Sequence, residues 1–249
     1  LFKMSCQGIY MIKLFKENWK KITSRETDAN ENFWTWKLTP IRYGMSIEIG
    51  KLIEQYVKGN TLDIGAGNLL YKKRLLNKRS SYTSCDKYSN HSNIDDLFDI
   101  KKLGYKNNLF ETVFCNQVLE HVDDTPQAIK EIKRVLKTNG VLILGTPFYF
   151  YLHSLPNDYF RFTNEGIKKI LKDQKFKIIY QQSICGYFSA LVEPLNILFS
   201  FCGLRLPIFQ TLVNLINFCL LVIPFYYLDR LLKTNRFYPC IYFTVAKKK

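Results

Sequence analysis

Thr61-Leu62-Asp63-Ile64-Gly65-Ala66-Gly67-Asn68 is a short apolar run that breaks into a glycine turn, and its reading decides the fold. Four residues that alternate into a buried strand are followed by two glycines, which admit a tight turn. A helical pattern then covers 68–78. Strand, glycine turn and helix form the first half of a βαβ unit.

Working outward, a helix is expected after Thr39-Pro40, with Met45, Ile49, Leu52, Ile53 and Tyr56 on one face and Gly59 as its stop. Downstream, strands are read at 81–85, around 93–95, and at 110–115. A helix follows, with Thr125 as N-cap, Pro126 at its first position and Asn139-Gly140 as stop. Further strands are read at 141–144, 176–183 and 240–246, with a helix at 164–173. This alternation predicts an α/β fold with a mostly parallel seven-stranded sheet and helices on both faces. Three parts are expected. Residues 1–38 form an N-terminal extension, a candidate lid through Phe33-Trp34-Thr35-Trp36. Residues 39–185 and 237–249 form the α/β domain, and 186–236 form an apolar helical insertion between the last two strands.

Thirty-six Lys and Arg against 21 Asp and Glu give a net charge of +15, which calls for an acidic partner or surface. Seven scattered cysteines contain no Cys-x-x-Cys pair. They read as buried hydrophobes of a reducing, cytoplasmic compartment, with no disulfide framework and no metal site expected. The first 21 residues lack a clean apolar core, so no secretory leader is expected.

The glycine turn lacks the third glycine of a dinucleotide fingerprint, since Leu70 stands in its place. Asp63 precedes the glycines where a cationic amino group can be held, which favours an aminoacyl-sulfonium nucleoside over a nicotinamide dinucleotide. Asp86 ends the second strand, where a carboxylate accepts ribose hydroxyls. Asp95-Asp96-Leu97 adds a carboxylate and an apolar side chain for an adenine ring.

At these residues, and at Val118-Leu119-Glu120-His121-Val122 and the segment 131–140, the chain resembles the class I S-adenosylmethionine-dependent methyltransferases, over roughly 58–175. The resemblance implies a Rossmann-like methyltransferase with S-adenosyl-L-methionine as cofactor. It implies that Asp63, Gly65 and Gly67 hold the methionine part, Asp86 the ribose, and Asp96 and Leu97 the adenine, with Asn116 and Gln117 lining the pocket near the sulfonium. Pro147 and the stretch from His153 through Asn157-Asp158-Tyr159-Phe160-Arg161 to Thr163, together with Gly67-Asn68-Leu69-Leu70-Tyr71, are similar to the branch that accompanies bacterial cell-surface glycan biosynthesis.

That loop leaves the carboxyl end of the sheet. His153 is the candidate catalytic base, its ordinary pKa lying nearest neutrality. Asp158 and Arg161 are acceptor-side candidates or a loop-fixing ion pair, and His121 reads as packing behind the fourth strand. The expected acceptor is a glycan or lipid-linked glycan. A quinone precursor, or non-catalytic binding of the cofactor at a membrane, stands as the alternative. Nucleic acid is not expected as a partner, because Asn116-Gln117-Val118-Leu119 replaces the loop that would seat a flipped base. Residues 206–228 carry no charge, yet Gln210, Asn214 and Asn217 draw a polar stripe along them and Pro224 interrupts them. An interfacial or re-entrant helix at the inner face of an anionic membrane is expected, with Arg205, Arg230, Lys233, Arg236 and the terminal lysines meeting lipid headgroups.

Overall fold

Thr39 opens the first helix as expected: its hydroxyl accepts a hydrogen bond from Arg42 N (3.3 Å), and Pro40 takes the first helical position of α1 (Pro40–Tyr56). The computed structural model describes residues 38–76, 81–88, 93–202 and 207–249. The extension 1–38, up to residue 37 and with its Phe33-Trp34-Thr35-Trp36 cluster, lies outside them, as does Arg205. After α1 come β1 (Thr61–Ile64), α2 (Lys72–Leu76), β2 (Tyr82–Asp86), β3 (Asp96–Leu97), β4 (Phe110–Asn116) and α3 (Thr125–Val135). Then follow β5 (Leu136–Pro147), α4 (Asn164–Asp173), β6 (Phe176–Ile184), α5 (Tyr187–Cys202), α6 (Pro207–Asn217), α7 (Ile223–Leu232) and β7 (Ile241–Lys248).

The seven strands form one sheet in the order β3-β2-β1-β4-β5-β7-β6. All neighbours are parallel except β7, which runs antiparallel between β5 and β6. Period-two alternation divides the core between the faces. Val113 and Cys115 of β4 and Leu142 and Leu144 of β5 pack with Ile129 and Ile132 of α3 and Ile167 and Leu171 of α4. Phe114, Val141 and Ile143 point the other way, onto Ile49 and Leu52 of α1 and Tyr226 of α7. Strand order reverses between β1 and β4, so the loops leaving them diverge and open a crevice at the carboxyl end of the sheet.

Four local expectations are corrected. The helix read at 68–78 shrinks to α2, because Gly65, Gly67 and Leu69 all take left-handed backbone and the chain turns through 67–71 first. The N-cap of α3 is Asp124, whose Oδ1 accepts from Gln127 N (3.1 Å), while the Thr125 hydroxyl donates back to Val122 O. Asn139-Gly140 does not end that helix. It ends at Val135, and Asn139, with φ +64°, makes an irregularity inside the longer strand β5. The third strand is Asp96–Leu97, because the Asp95 carboxylate accepts from Ser84 N (2.8 Å) and Oγ (2.6 Å) and is held out of the ladder.

The described residues of the insertion form α5, α6 and α7, with a π-helical turn at Phe218–Val222 joining α6 to α7 and a 3₁₀ turn at Thr234–Arg236. That turn precedes Pro224, which sits in the first turn of α7, so the helical path continues past it. Asn214 and Asn217 are buried, and Asn217 Nδ2 donates to Leu38 O (2.8 Å), so at these two residues the polar stripe turns inward. Asp229, also buried, accepts from the N–H groups of Gly186 (2.7 Å), Phe188 (2.9 Å) and Ser189 (2.9 Å) and ties the start of α5 to α7.

Candidate functional site

Gly65 takes φ +69° and donates its N–H to Cys85 O (2.8 Å). A β-carbon there would stand 2.3 Å from Val118 Cγ2, so the turn and the segment after β4 touch only because residue 65 is glycine. At Gly67, with φ +50°, a β-carbon would project into open space, which leaves a backbone cradle facing the crevice. The Gly67 N–H donates to Asp86 Oδ2 (2.9 Å), and Asp86 Oδ1 accepts from Tyr88 N (3.1 Å). Each Asp86 oxygen keeps a further lone pair for a hydroxyl donor. Asp63, fully buried at the end of β1, accepts from the Tyr82 hydroxyl (2.9 Å). Burial pushes its carboxyl up to about 7, the hydrogen bond from Tyr82 pulls it down and the Asp86 charge raises it.

On the adjoining strand ends, Asp96 accepts from the Tyr105 hydroxyl (2.9 Å), and Leu97 is 53% exposed, an open apolar surface beside Asp86. Asn116 donates to the Tyr71 hydroxyl (3.0 Å), while its Oδ1 is buried without a partner. Gln117 takes φ +56° and donates its N–H to Gly145 O (3.0 Å), and its Nε2 is likewise buried and unpaired. Both amide atoms of Asn68 and the Thr146 hydroxyl share that condition. Unpaired buried polar atoms are costly and rare. These four residues stand at or just past the carboxyl ends of β1, β4 and β5, where a polar ligand in the crevice would satisfy them. The residues present therefore fit an adenosyl sulfonium cofactor: a bare backbone cradle, carboxylates at three strand ends and amides awaiting partners.

The loop after β5 closes the other side. Tyr159 N (2.8 Å) and Phe160 N (3.2 Å) donate to Glu120 O, docking the loop on the short 3₁₀ turn Leu119–His121. Asp158 and Arg161 form a two-pronged pair, Nη1 to Oδ1 at 2.5 Å and Nη2 to Oδ2 at 2.8 Å. Asp158 also accepts from His153 N (3.0 Å), and Arg161 donates to Tyr151 O (3.0 Å). The guanidinium holds the Asp158 carboxyl down at about 2. The pair thus spends its polar groups on the loop itself and presents His153.

His153 stands over Glu120, whose side chain is completely buried and whose two oxygens have no hydrogen-bond partner. Glu120 Oε1 lies 4.0 Å from His153 Nε2 and 4.0 Å from His121 Nε2, and the two rings meet edge-on at 4.7 Å. Burial drives the Glu120 carboxyl up to about 8 and lowers His121. Sequence reasoning singled out His153 and took His121 as packing, but missed Glu120 and the convergence of all three. Glu120 sits inside a segment quoted only for family resemblance, and a lone Glu after a strand carries no signal. Asn68, quoted from the sequence only for its resemblance to the glycan branch, is the other missed residue.

Residues 62–144 match the family model described as a methyltransferase domain. A curated, uncharacterized protein of Methanocaldococcus jannaschii is 35% identical over 88 residues; the match covers 34% of this chain and 39% of the relative's length. Among solved structures, an S-adenosylmethionine-dependent methyltransferase of Archaeoglobus fulgidus superposes with TM-score 0.55 at 15% identity, over 82% of this chain and 93% of that one. The [4+2]-cyclase SpnF superposes with TM-score 0.53 at 17% identity, over 81% and 80%. A fold shared with a cyclase does not by itself fix the reaction. The match at 62–144 contains the glycine turn and all three strand-end carboxylates, so the part of the chain that resembles a methyltransferase domain is the part that builds the crevice, and the fold is the one that solved S-adenosylmethionine-dependent methyltransferases share.

Proposed function

We propose that this protein transfers a methyl group from S-adenosylmethionine to a hydroxyl of a glycan or lipid-linked glycan at an anionic membrane surface. The observation that carries the cofactor reading is the glycine turn whose Gly67 N–H is held by Asp86, beside the buried carboxylate of Asp63. Asp63 would face the cofactor's ammonium, Asp86 its ribose, and Asp96 with Leu97 its adenine, while Asn116, Gln117 and Asn68 line the reacting end. The cofactor supplies an electrophilic methyl carbon on a sulfonium, which departs as a neutral thioether. The chain's part is alignment and proton handling, and alignment alone is worth several kcal/mol in such displacements. Nε2 of His153 is the atom assigned to take the hydroxyl proton, with Asp158 and Arg161 positioning the loop that bears it.

The acceptor reading rests on the resemblance of that loop to the cell-surface glycan branch. The membrane reading rests on the insertion, where Leu212, Leu215, Ile216, Leu220, Tyr227 and Leu231 are exposed. Thr211–Leu232 is long enough to cross a bilayer and contains an 18-residue stretch of mean hydropathy 1.8. Yet Asn214 and Asn217 are buried, and Asn217 is bonded to Leu38 O just ahead of α1, which favours a helix lying in the cytoplasmic interface.

Calorimetric titration with S-adenosylmethionine tests the reading. Asp63→Ala and Asp86→Ala should each weaken binding about ten- to hundredfold, the worth of a lost charged hydrogen bond. No binding by the folded wild type, or unchanged binding in both variants, overturns it. His153→Ala should lower turnover about a hundredfold while cofactor affinity holds.

A further inference from the structure

Glu120, His121 and His153 present an electrostatic conflict. Nδ1 of His121 lies 2.7 Å from Asn157 O, and Nδ1 of His153 lies 3.1 Å from Tyr151 O. A carbonyl oxygen only accepts, so each imidazole carries its proton on Nδ1, and a neutral ring then has a bare lone pair at Nε2. Both bare nitrogens point at one carboxylate oxygen, 4.0 Å away in each case, and that carboxylate has no donor of its own. Three potential ligand atoms converge with no hydrogen bond made to the carboxylate.

We infer that Glu120, His121 and His153 form a divalent-cation site, with one carboxylate oxygen and two imidazole Nε2 atoms as its protein ligands. The three ligand atoms lie within 4.8 Å of one another. An ion held at ~2.0–2.2 Å sets its ligands roughly 3–4 Å apart, so small inward movements suffice. The backbone carbonyls behind both Nδ1 atoms are the outer partners that metal-bound histidines ordinarily have, fixing tautomer and ring orientation before the ion arrives. Two imidazoles and one carboxylate suit zinc, manganese or iron(II) rather than magnesium or calcium, which prefer oxygen. Arg161, the nearest fixed positive charge, is neutralised by its two-pronged pair with Asp158. Exposure is graded in a way that suits an approaching ligand: the Glu120 side chain is fully covered, while those of His153 and His121 are 10% and 23% accessible. Free coordination positions therefore face outward, toward the acceptor side.

The inference deepens the methyltransferase reading and, for the cation's role though not for its binding, rests on it. A cation here would hold the acceptor oxygen and make its proton easier to lose. With the ion bound, the Nε2 lone pair of His153 is used as a ligand and no longer takes the proton as it does in the cation-free mechanism, so the hydroxyl proton passes to solvent water. The C–O bond forms as the C–S bond breaks, the electron pair stays on sulfur, and no oxidant or reductant is required.

The test uses the full chain, stripped with chelator and titrated with Co²⁺, then with Zn²⁺ in competition. Wild type should take up stoichiometric Co²⁺ with visible d–d absorption and no thiolate charge-transfer band. Glu120→Gln and His121→Ala should bind about a hundredfold more weakly, with S-adenosylmethionine affinity and melting temperature near wild type. Glu120→Gln preserves shape, so it keeps the test open if the alanine variant is unstable. No stoichiometric uptake by wild type, a thiolate band, or full retention in both variants overturns the site. If cobalt binds as described and S-adenosylmethionine does not, the cation site stands and the methyltransferase reading falls.

Discussion

Asp63 joins burial to chemistry in one side chain. Its carboxyl, raised by burial to about 7, is largely protonated in the free protein below that pH. An ammonium ligand pairs with the ionised form, so binding must expel the proton, and affinity should climb as pH rises through about 7. Above roughly 7.7–8.0 the ligand's own α-amino group discharges and the gain reverses. Titrations at pH 6 in buffers of different ionisation enthalpy read the released proton directly; no release at pH 6 removes Asp63 from the ammonium site. Gly65→Ala is a second check, since its β-carbon meets Val118 Cγ2 in a left-handed backbone. It should cost about 1–3 kcal/mol in denaturant unfolding and displace the turn. Asp63, Gly65, Gly67 and Asp86 were readable because a strand, a glycine turn and the next strand end are written in consecutive residues. Glu120 and its convergence with His121 on the His153 picked out from the sequence were not, because the tertiary docking of one loop on another brings them together.

Between elements, the loop from β5 to α4 and the insertion are each held by few, specific bonds. Asp158→Ala removes both prongs from Arg161 and the acceptor of His153 N. It should cost about 1–3 kcal/mol and loosen His153, read as a lower melting temperature together with weaker cobalt uptake. The Asp158 carboxyl sits below its unfolded value, so this contribution is present above about pH 4 and fades as pH falls toward about 2. In the insertion, Leu220 and Leu231 are 64% and 77% exposed, whereas Asn217 and Asp229 are buried. A Leu220→Glu, Leu231→Glu pair should reduce flotation with anionic liposomes at least about tenfold, since each leucine is worth ~1.5–3 kcal/mol when buried. Cofactor affinity should not change. Wild type remaining with the soluble fraction at low salt defeats the membrane reading. Composition announced an apolar insertion and its polar stripe. It did not announce the π turn or the clasp of Asp229 on α5, since both depend on how the helices pack.

Across the whole molecule, a net charge of +15 should make any membrane association salt-dependent. Each close cation contributes about 1 kcal/mol and is screened within a Debye length of ~8 Å at physiological ionic strength. Flotation should therefore weaken steadily with added salt, and the residue that persists measures the apolar contribution of α6 and α7. The sheet order is a different kind of property. Because β7 returns antiparallel beside β6, Ile184 and Ile241 are paired neighbours, and Cys240 N donates to both Ile184 O and Cys185 O (3.3 Å each). The helical insertion thus leaves and re-enters the sheet through a neck one strand-spacing wide. In the grammar of the fold it is an enlarged hairpin at the same carboxyl edge of the sheet as the glycine turn, so a descendant gene could exchange it wholesale and change what flanks that edge while leaving the strands that carry the chemistry unrewritten.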